Sequence, residues 1–330
     1  MNITTGAEQK ALPAVVGEDP SDRVIALYFS AWEAASVDTW CCEYFPQHVV
    51  HDWGDSGQLV QHFAWLRQAR VGVIGYEWSG RGSSSDVNLP AVLDAADRYG
   101  VEVAFSLEPY QGRSATTLAD DVSYIYGQYG QHPAFHWVIE PTRWQQDDNP
   151  KGLFLLRETM SGPQGTIDDP TYWEPAVTAI HHLANGGIVL GDVDPEWIDP
   201  VGFDGLTNYV DPVPPDLSWA KDLPDGAWYV PTVIPGWEPP SGDGVTSLLL
   251  RSGGDTYDER WEAVLSGPVR PNRVIIGSFN DWGVGTQIAP VATGVTNDEG
   301  FTHRDYGDVG PEHYLDLTAH WVAEFLERFP

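Results

Sequence analysis

From residue 24 onward, short apolar runs alternate with segments in which apolar residues recur at helical spacing. The short runs are rich in β-branched and aromatic residues, which is typical of buried strands. The longer segments favour amphipathic helices, and one of them has Pro90 in its first turn, where proline is tolerated. The predicted strands are 24–29, 71–76, 101–107, 134–139, 187–190, 205–209, 228–234 and 273–279. The predicted helices are 59–69, 89–99, 116–129, 170–185, 257–266 and 311–329.

This alternation indicates one parallel sheet, and eight strands close a (β/α)8 barrel, or TIM barrel. We therefore expect an α/β fold with a single barrel domain over residues 24–330, preceded by an N-terminal extension over residues 1–23. A doubly wound open sheet is the alternative. It would need a Gly-rich turn after the first strand, whereas residues 30–33 read Ser-Ala-Trp-Glu.

A carboxylate follows five of the predicted strands, in most cases beside an aromatic residue. The C-terminal ends of parallel barrel strands meet at one mouth, so we expect these side chains to converge there. One acidic residue at a strand end is usually a helix cap or a surface charge, but five beside aromatic rings favour a sugar-processing enzyme. The carboxylates are Glu77, Glu108, Glu140, Glu238 and Asp281, and the rings are Trp78, Tyr110, Trp237 and Trp282.

The chain has 330 residues and a formal net charge of −31, with 48 acidic and 17 basic residues. This balance argues against nucleic acids, whose phosphates need a basic surface, and against anionic membrane surfaces. Polyanionic glycans are disfavoured for the same reason. The expected partner is a neutral oligosaccharide or polysaccharide, and the acidity itself is interpreted as a solvated surface suited to a salty environment.

The sequence predicts neither a metal site nor a cofactor. Cys41 and Cys42 are adjacent, and neighbouring residues rarely form a disulfide. His181 and His182 lack a third ligand, and residues 192–194 lack the glycine and distal glutamate of a calcium loop.

Residues 1–23 lack the apolar run of a signal peptide, and no stretch approaches the ~20 apolar residues of a membrane span. We expect a soluble protein, either cytoplasmic or exported by a route that this sequence does not encode.

Four motifs at the strand ends resemble glycoside hydrolase family 99, the endo-α-1,2-mannosidases and mannanases. Residues 78–82 with Asp86 are similar to the family's Ser-Trp-Tyr-Gly loop, and residues 105–113 to its Phe-His-Ile-Glu-Pro-Tyr-x-Gly-Arg motif. Residues 129–135 are similar to Tyr-Gly-x-His-Pro-Ala-Phe, and residues 279–288 to Phe-Asn-Glu-Trp-His-Glu-Gly-Thr-Gln-Ile. The resemblance implies a (β/α)8 barrel that cleaves inside α-mannosyl chains with retention of configuration.

The resemblance also implies a mechanism with two carboxyl groups. One removes the proton of the sugar 2-hydroxyl, whose oxygen attacks the anomeric carbon to give a 1,2-anhydro sugar. The other protonates the leaving oxygen and then activates the water that opens the anhydro ring. By motif position the first role falls on Asp281 and the second on Val284, which carries no acidic group. Ser106 and Gly283 replace two histidines of the family motifs, and Glu77 replaces a serine, which indicates a rebuilt acid/base pair.

We therefore predict a glycoside hydrolase acting on a neutral glycan, resembling an endo-α-1,2-mannosidase, with a rearranged acid/base pair. Asp281 is the expected base or nucleophile, and the acid is Glu77, Glu108 or Glu140, so the catalytic candidates are Asp281, Glu108 and Glu77. A non-catalytic glycan-binding barrel, which Val284 favours, is one alternative, and a glycosidase or lyase of different linkage specificity is another. The predicted substrate-binding residues are Trp78, Arg81, Tyr110, Arg113, Glu140, Tyr209, Trp237, Glu238, Asn280, Trp282 and Gln287.

Overall fold

The structure is a computed structural model, and it describes residues 13, 19–30, 42–162, 165–207, 217–239 and 248–330. The strands are β1 Ser21–Tyr28, β2 Val71–Trp78, β3 Glu102–Leu107, β4 Trp137–Val138, β5 Lys151–Leu156, β6 Ser161–Gly162, β7 Gly165–Thr166, β8 Ile188–Gly191, β9 Gly205–Thr207, β10 Trp228–Val230, β11 Thr232–Val233 and β12 Val274–Ile276. The α-helices are α1 Ser56–Gln68, α2 Ser84–Tyr99, α3 Leu118–Tyr129, α4 Glu174–His181, α5 Ile198–Val201, α6 Asp255–Ser266 and α7 His313–Arg328. Short 3-10 helices cover Pro170–Trp173, Pro195–Trp197, Leu217–Asp222, Ser252–Gly254 and Gly307–Val309.

The parallel strands form one sheet in the order β10-β9-β8-β5-β3-β2-β1-β12-β11. Only Pro231 separates β10 from β11, yet β10 pairs with β9 (Trp228 opposite Gly205) while β11 pairs with β12 (Thr232 opposite Ile275). Because this interrupted strand bonds to both ends of the sheet, the sheet closes on itself. Pro231 has no N–H to donate, and its carbonyl accepts a hydrogen bond from the Ile275 N–H at 2.9 Å. The predicted (β/α)8 barrel is confirmed.

Successive strand residues point alternately into the barrel and towards the helices. Ile25 and Leu27 of β1 pack inside the barrel against Leu153 and Leu155 of β5. Ala26 and Tyr28 belong instead to the layer between the sheet and the helices. The interior is therefore a packed core, and a ligand has room only at the rims. Other interior residues are Val73, Ala104, Ile188, Leu190, Trp228, Val230 and Ile275.

The helices α1 and α2 begin at polar caps. The Asp55 carboxylate accepts a hydrogen bond from the Gly57 N–H, and the Ser83 hydroxyl accepts one from the Asp86 N–H. Gly100 ends α2 in the left-handed conformation, with φ 65°. Within the described ranges, no helix combines the length and apolar character required to cross a lipid bilayer.

The prediction for the fourth strand was wrong. The parallel strand between β3 and β8 is β5. The apolar run 134–139 makes a single parallel bridge to β3, between Phe135 and Val103, and then forms the two-residue β4, which runs antiparallel to the start of β5. β5 begins with the charged residue Lys151, which interrupts the apolar pattern, so the sequence pattern did not reveal this strand. Its buried ammonium group is held by the carboxylate of Asp147 at 2.7 Å and by the Asn149 carbonyl at 2.9 Å.

Gly72 and Gly127 provide a test of the barrel packing. A Cβ atom at Gly72 would lie 2.3 Å from the Ser21 backbone, whereas at Gly127, on the exposed face of α3, it would meet nothing within 4 Å. We expect Gly72→Ala to destabilise the protein by at least about 1–3 kcal/mol, since β1 and β2 must move apart. Gly127→Ala should stabilise it by about 0.5–1 kcal/mol, because alanine is the better helix former. Denaturant unfolding measures both changes, and a Gly72→Ala protein as stable as the parent would contradict the close approach of β1 and β2.

Candidate active site

Three carboxyl groups meet at the C-terminal mouth of the barrel. Glu77 is near the end of β2, Glu108 directly follows β3, and Asp281 lies in the loop after β12. The strands β3, β2, β1 and β12 are consecutive neighbours in the sheet, which brings the three side chains to one rim. The negative charge of Glu77 raises the pKa values of both Glu108 and Asp281, so the groups lie within electrostatic reach of Glu77. We call Glu77, Glu108 and Asp281 the carboxylate trio.

Glu108 is a largely buried carboxyl group with two polar neighbours. Its Oε1 accepts a hydrogen bond from the Ser106 hydroxyl at 2.6 Å and lies 3.8 Å from Nε of Arg157. Burial raises the pKa of Glu108 to about 7, with Arg157 and Ser106 opposing the rise and Glu77 adding to it. Glu108 therefore exchanges a proton near neutral pH.

Asp281 lies in a turn that its own polar groups define. Its backbone N–H donates to the Ser278 hydroxyl at 2.9 Å, and its Oδ1 accepts from the Gly283 N–H at 3.1 Å. Burial raises the pKa of Asp281 to about 6, while the N–H groups of Gly283 and Val284 oppose this rise. Asp281 is consequently ionised for the most part at pH 7, as a general base requires.

Glu77 has a buried carboxylate oxygen without a hydrogen-bond partner among the described residues. Its Oε1 accepts from the Ser79 hydroxyl at 3.1 Å, whereas Oε2 is buried and has no hydrogen-bond partner among the described residues. Burial raises the pKa of Glu77, and hydrogen bonds from Ser79 and from the Ser30 backbone oppose the rise. A buried, unpaired carboxylate oxygen is costly unless it is protonated or meets a ligand.

Arg157 is a site residue that the sequence analysis missed. It follows β5 directly, its side chain is only 6% exposed, and its positive charge lowers the pKa values of Glu108 and Asp281. It was overlooked because β5 itself was not predicted. The available signal was the apolar run 152–156 followed by a charged residue, the same pattern that identified Glu108.

A buried ion-pair network holds the loop that carries Asp281. Arg251 donates from Nη2 to the carbonyls of Gly285 and Gln287, at 2.8 and 2.7 Å. The Arg251 guanidinium also lies over the rings of three tyrosines. Glu238 completes the network: its oxygens accept from the Tyr44 hydroxyl and, at 2.8 Å, from Arg304, and its N–H donates to the Val284 carbonyl. Both carboxylate oxygens of Glu238 therefore have protein partners, and its backbone N–H holds the loop at Val284.

The Trp78 side chain supports the loop after β2. It is completely buried, and its Nε1 donates to Asp86 at 3.1 Å. Asp86 also accepts from the Gly82 N–H at 2.8 Å and from the hydroxyls of Tyr124 and Tyr129 at 3.0 and 2.8 Å. Because the Trp78 ring is enclosed by protein, it supports the loop after β2 and offers no surface to a ligand in this structure.

Three further predicted contacts are also buried. Arg113 donates to the backbone carbonyls of Leu107 and Arg157, at 2.9 and 2.7 Å. Asn280 exchanges two hydrogen bonds with the backbone of Phe29, at 2.9 and 2.7 Å, which ties the end of β1 to the loop after β12. Gln287 is fully buried. Arg113 and Asn280 thus fix backbone segments around the carboxylate trio, whereas the Gln287 amide group contacts the Tyr306 hydroxyl at 3.4 Å.

The placement of Glu140 at the mouth was wrong. Its Oε1 accepts from Nη2 of Arg273 at 2.9 Å, and Arg273 immediately precedes β12. Glu140 therefore lies at the N-terminal rim, opposite the trio. The reason is the antiparallel direction of β4, which carries the chain back towards the start of β5.

Arg81 and Tyr110 line a surface cavity of about 350 Å³ beside α3. Both side chains contact Asp121: Arg81 through an ion pair at 3.2 Å and Tyr110 through its hydroxyl. Trp282 is buried, and Trp237 is half-buried. Tyr209 lies outside the described residues.

The raised pKa of Asp281 predicts how stability depends on pH. The unfolded value is about 3.9 and the folded value about 6, so the folded state binds the proton more tightly, and ionisation destabilises the protein as pH rises through this window. We expect Asp281→Asn to stabilise the protein at pH 8 by on the order of 1–3 kcal/mol and to lose this advantage by about pH 4. Urea unfolding at both pH values measures the difference. Asp298→Asn, at an exposed turn, is the matched control, and a gain for Asp281→Asn that is equal at both pH values would contradict the assignment.

The profile of glycosyl hydrolase family 99 matches residues 16–144 and 218–327. A human glycoprotein endo-alpha-1,2-mannosidase-like protein is 27% identical over 319 residues, which cover 86% of this chain and 65% of that protein. The glycoprotein endo-alpha-1,2-mannosidase of Xenopus laevis is 27% identical over 335 residues, which cover 93% of this chain and 71% of that protein. The chain thus spans just under two thirds of the length of its human relative.

Among solved structures, the GH99 endo-alpha-mannosidase from Bacteroides thetaiotaomicron superposes with a TM-score of 0.78 at 23% identity, covering 94% of this chain and 99% of that one. This similarity supports the barrel fold. The matched profile covers well over half of the sequence, and three of the four motifs, residues 78–82, 105–113 and 279–288, contain or adjoin the residues of the carboxylate trio. The chain belongs to glycosyl hydrolase family 99.

Proposed function

We propose that this chain is a retaining glycoside hydrolase that acts within a neutral α-mannosyl glycan, with Asp281 as the base and Glu77 as the general acid. The observation that carries the proposal is the buried Oε2 of Glu77, which has no hydrogen-bond partner among the described residues and lies within electrostatic reach of Asp281. The named relatives, endo-alpha-1,2-mannosidase-like proteins, suggest the class of substrate.

Asp281 suits the role of base because its pKa of about 6 leaves it ionised at neutral pH while keeping it strong enough to accept a proton. It takes the proton of the sugar 2-hydroxyl, and the resulting oxygen attacks the anomeric carbon. The bond to the leaving oxygen breaks as Glu77 donates its proton to that oxygen. The Glu77 carboxylate then accepts a proton from the water that opens the 1,2-anhydro ring, while Asp281 returns its proton to the 2-oxygen.

Glu77 is favoured over Glu108 as the acid because of their different neighbours. Each accepts a hydrogen bond from a serine hydroxyl, but only Glu108 faces a cation: Arg157 lies 3.8 Å away and favours its ionised form. When it is ionised, Glu108 is suited to accept hydrogen bonds from sugar hydroxyls. Glu140, the third candidate, lies at the opposite rim.

A glycan-binding barrel without catalysis is the second candidate function. It is favoured by Val284, which occupies the motif position of the family's acid and is half-exposed in the loop after β12. This candidate predicts glycan binding without turnover, and it predicts that restoring a carboxyl group through Val284→Glu creates activity.

Site-directed variants test the catalytic assignment. With neutral α-mannan and manno-oligosaccharides as substrates, Asp281→Asn and Glu77→Gln should each lower kcat by about 10²–10⁴-fold, the usual contribution of a positioned acid or base. Glu140→Gln is the matched control and should change kcat less than about twofold, because its amide oxygen still accepts from Arg273 at the far rim. Products are identified by mass spectrometry. Full activity of Glu77→Gln would refute its role as the acid, and glycan binding without any turnover would favour the binding barrel.

The pH dependence of the reaction gives an independent test. Glu77 and Asp281 titrate as a coupled pair, since the charge of Glu77 raises the pKa of Asp281, and the active form of the pair holds one proton, on Glu77. We expect kcat/KM to rise with pH as the pair loses its first proton and to fall as it loses the second. An initial-rate profile from pH 4 to 10 measures both limbs, and a rate that is highest below pH 5 would contradict the role of Asp281.

A further inference from the structure

A second cavity opens beside the carboxylate trio, at the ends of three consecutive strands. Its volume is about 360 Å³, within the range of small-molecule sites. Met160 lies beyond β5, Asp192 and Asp194 follow β8, and Thr207 ends β9, while Trp197 forms a further part of the wall. The cavity therefore lies at the same rim of the barrel as the trio.

Arg157 connects this cavity to the trio along the chain. Arg157 faces Glu108, and the two residues after it are fixed by Asp192, a wall residue of the cavity. The Asp192 carboxylate accepts from the N–H groups of Glu158 and Thr159 at 2.7 and 2.9 Å, and from the Thr159 hydroxyl. Residues 157–159 thus connect Glu108, which Arg157 faces, with the cavity, which Asp192 lines.

The cavity wall combines an aromatic ring with a carboxylate that is open to solvent. Trp197 is partly exposed, its backbone N–H donates to the Asp194 carbonyl at 3.0 Å, and both residues line the cavity. Asp194 is exposed, whereas the two carboxylate oxygens of Asp192 accept hydrogen bonds from Glu158 and Thr159. A flat ring and a nearby acceptor match the apolar face and the hydroxyl groups of a pyranose.

The charges around the cavity disfavour an anionic ligand. Two carboxylates and no Lys or Arg are among its described lining residues. A sulfate or carboxylate group brought here would meet repulsion without a compensating cation.

The cavity also falls in a part of the chain that the family profile leaves unmatched. The match stops at residue 144 and resumes at residue 218, and all the lining residues lie between these positions. The family profile therefore does not describe the residues that line this cavity.

We infer that this cavity is a sugar subsite that holds one uncharged pyranose unit of a longer glycan, with Trp197 as the stacking surface and Asp194 as a hydrogen-bond acceptor for its hydroxyls. The subsite rests on the proposed function, since the same glycan would pass the carboxylate trio. It makes the protein selective for neutral chains long enough to reach from the trio to Trp197.

Calorimetry with α-linked manno-oligosaccharides of two, three and four units tests the subsite in the Asp281→Asn background, which prevents turnover. Trp197→Ala should weaken binding of the longest oligosaccharide by about tenfold or more and leave the disaccharide unaffected. Trp144→Ala, an exposed tryptophan whose Nε1 bonds to the Phe203 carbonyl near the opposite rim, is the matched control and should change neither.

Charge selectivity is tested with the same tetrasaccharide carrying one sulfate. It should bind about tenfold more weakly than the neutral form, because its negative charge is repelled by the carboxylates of the cavity. Asp194→Asn removes one of these charges and should reduce the difference in affinity between the neutral and the sulfated tetrasaccharide. Equal binding of both forms, or a Trp197→Ala effect that does not depend on length, would overturn the subsite. Absence of binding by every oligosaccharide would also overturn it, whereas length-dependent binding in a protein without turnover would refute only the catalytic proposal.

Discussion

Burial of three carboxyl groups at one rim of a closed barrel is the constraint on which the rest of the site depends. A carboxylate loses hydration when it is buried, and each neighbouring negative charge adds to the cost of ionisation. Arg157 offsets this cost for Glu108 and Asp281 without removing it, since the pKa values remain near 7 and 6. The rim therefore holds exchangeable protons near neutral pH, which acid/base chemistry on a neutral substrate requires.

Much of the polar structure around the trio serves to hold backbone in place. Arg113 and Asn280 bind main-chain groups, and Arg251 fixes the loop after β12. These contacts stabilise loops that would otherwise have many conformations, and they keep the carboxyl groups close despite their repulsion. The residues that hold the backbone are thus different from the carboxyl groups that they position. This difference explains how the chain resembles the family in its supporting motifs while carrying Val284 at the position of the family's acid.

The sequence was sufficient to predict the barrel, because seven of its eight strand positions show clear apolar runs that end in turn or charged residues. It failed at β5, where Lys151 interrupts the apolar pattern and the nearby run 134–139 offered a competing strand. That one error moved Glu140 to the wrong rim and concealed Arg157. Single-residue patterns also could not reveal that Trp78 and Glu238 face inward, because ring burial and ion pairing depend on segments far apart in the chain, such as Asp86 for Trp78 and Arg304 for Glu238.

A carboxyl ¹³C NMR titration of the protein and of a Glu77→Gln variant tests the central claim most directly, because it reads each carboxyl group of the trio without needing a substrate. The account predicts that Asp281 and Glu108 titrate near 6 and 7 in the parent protein and that both values fall when Glu77 loses its charge. Titration of both groups near 4, unchanged by the substitution, would contradict it.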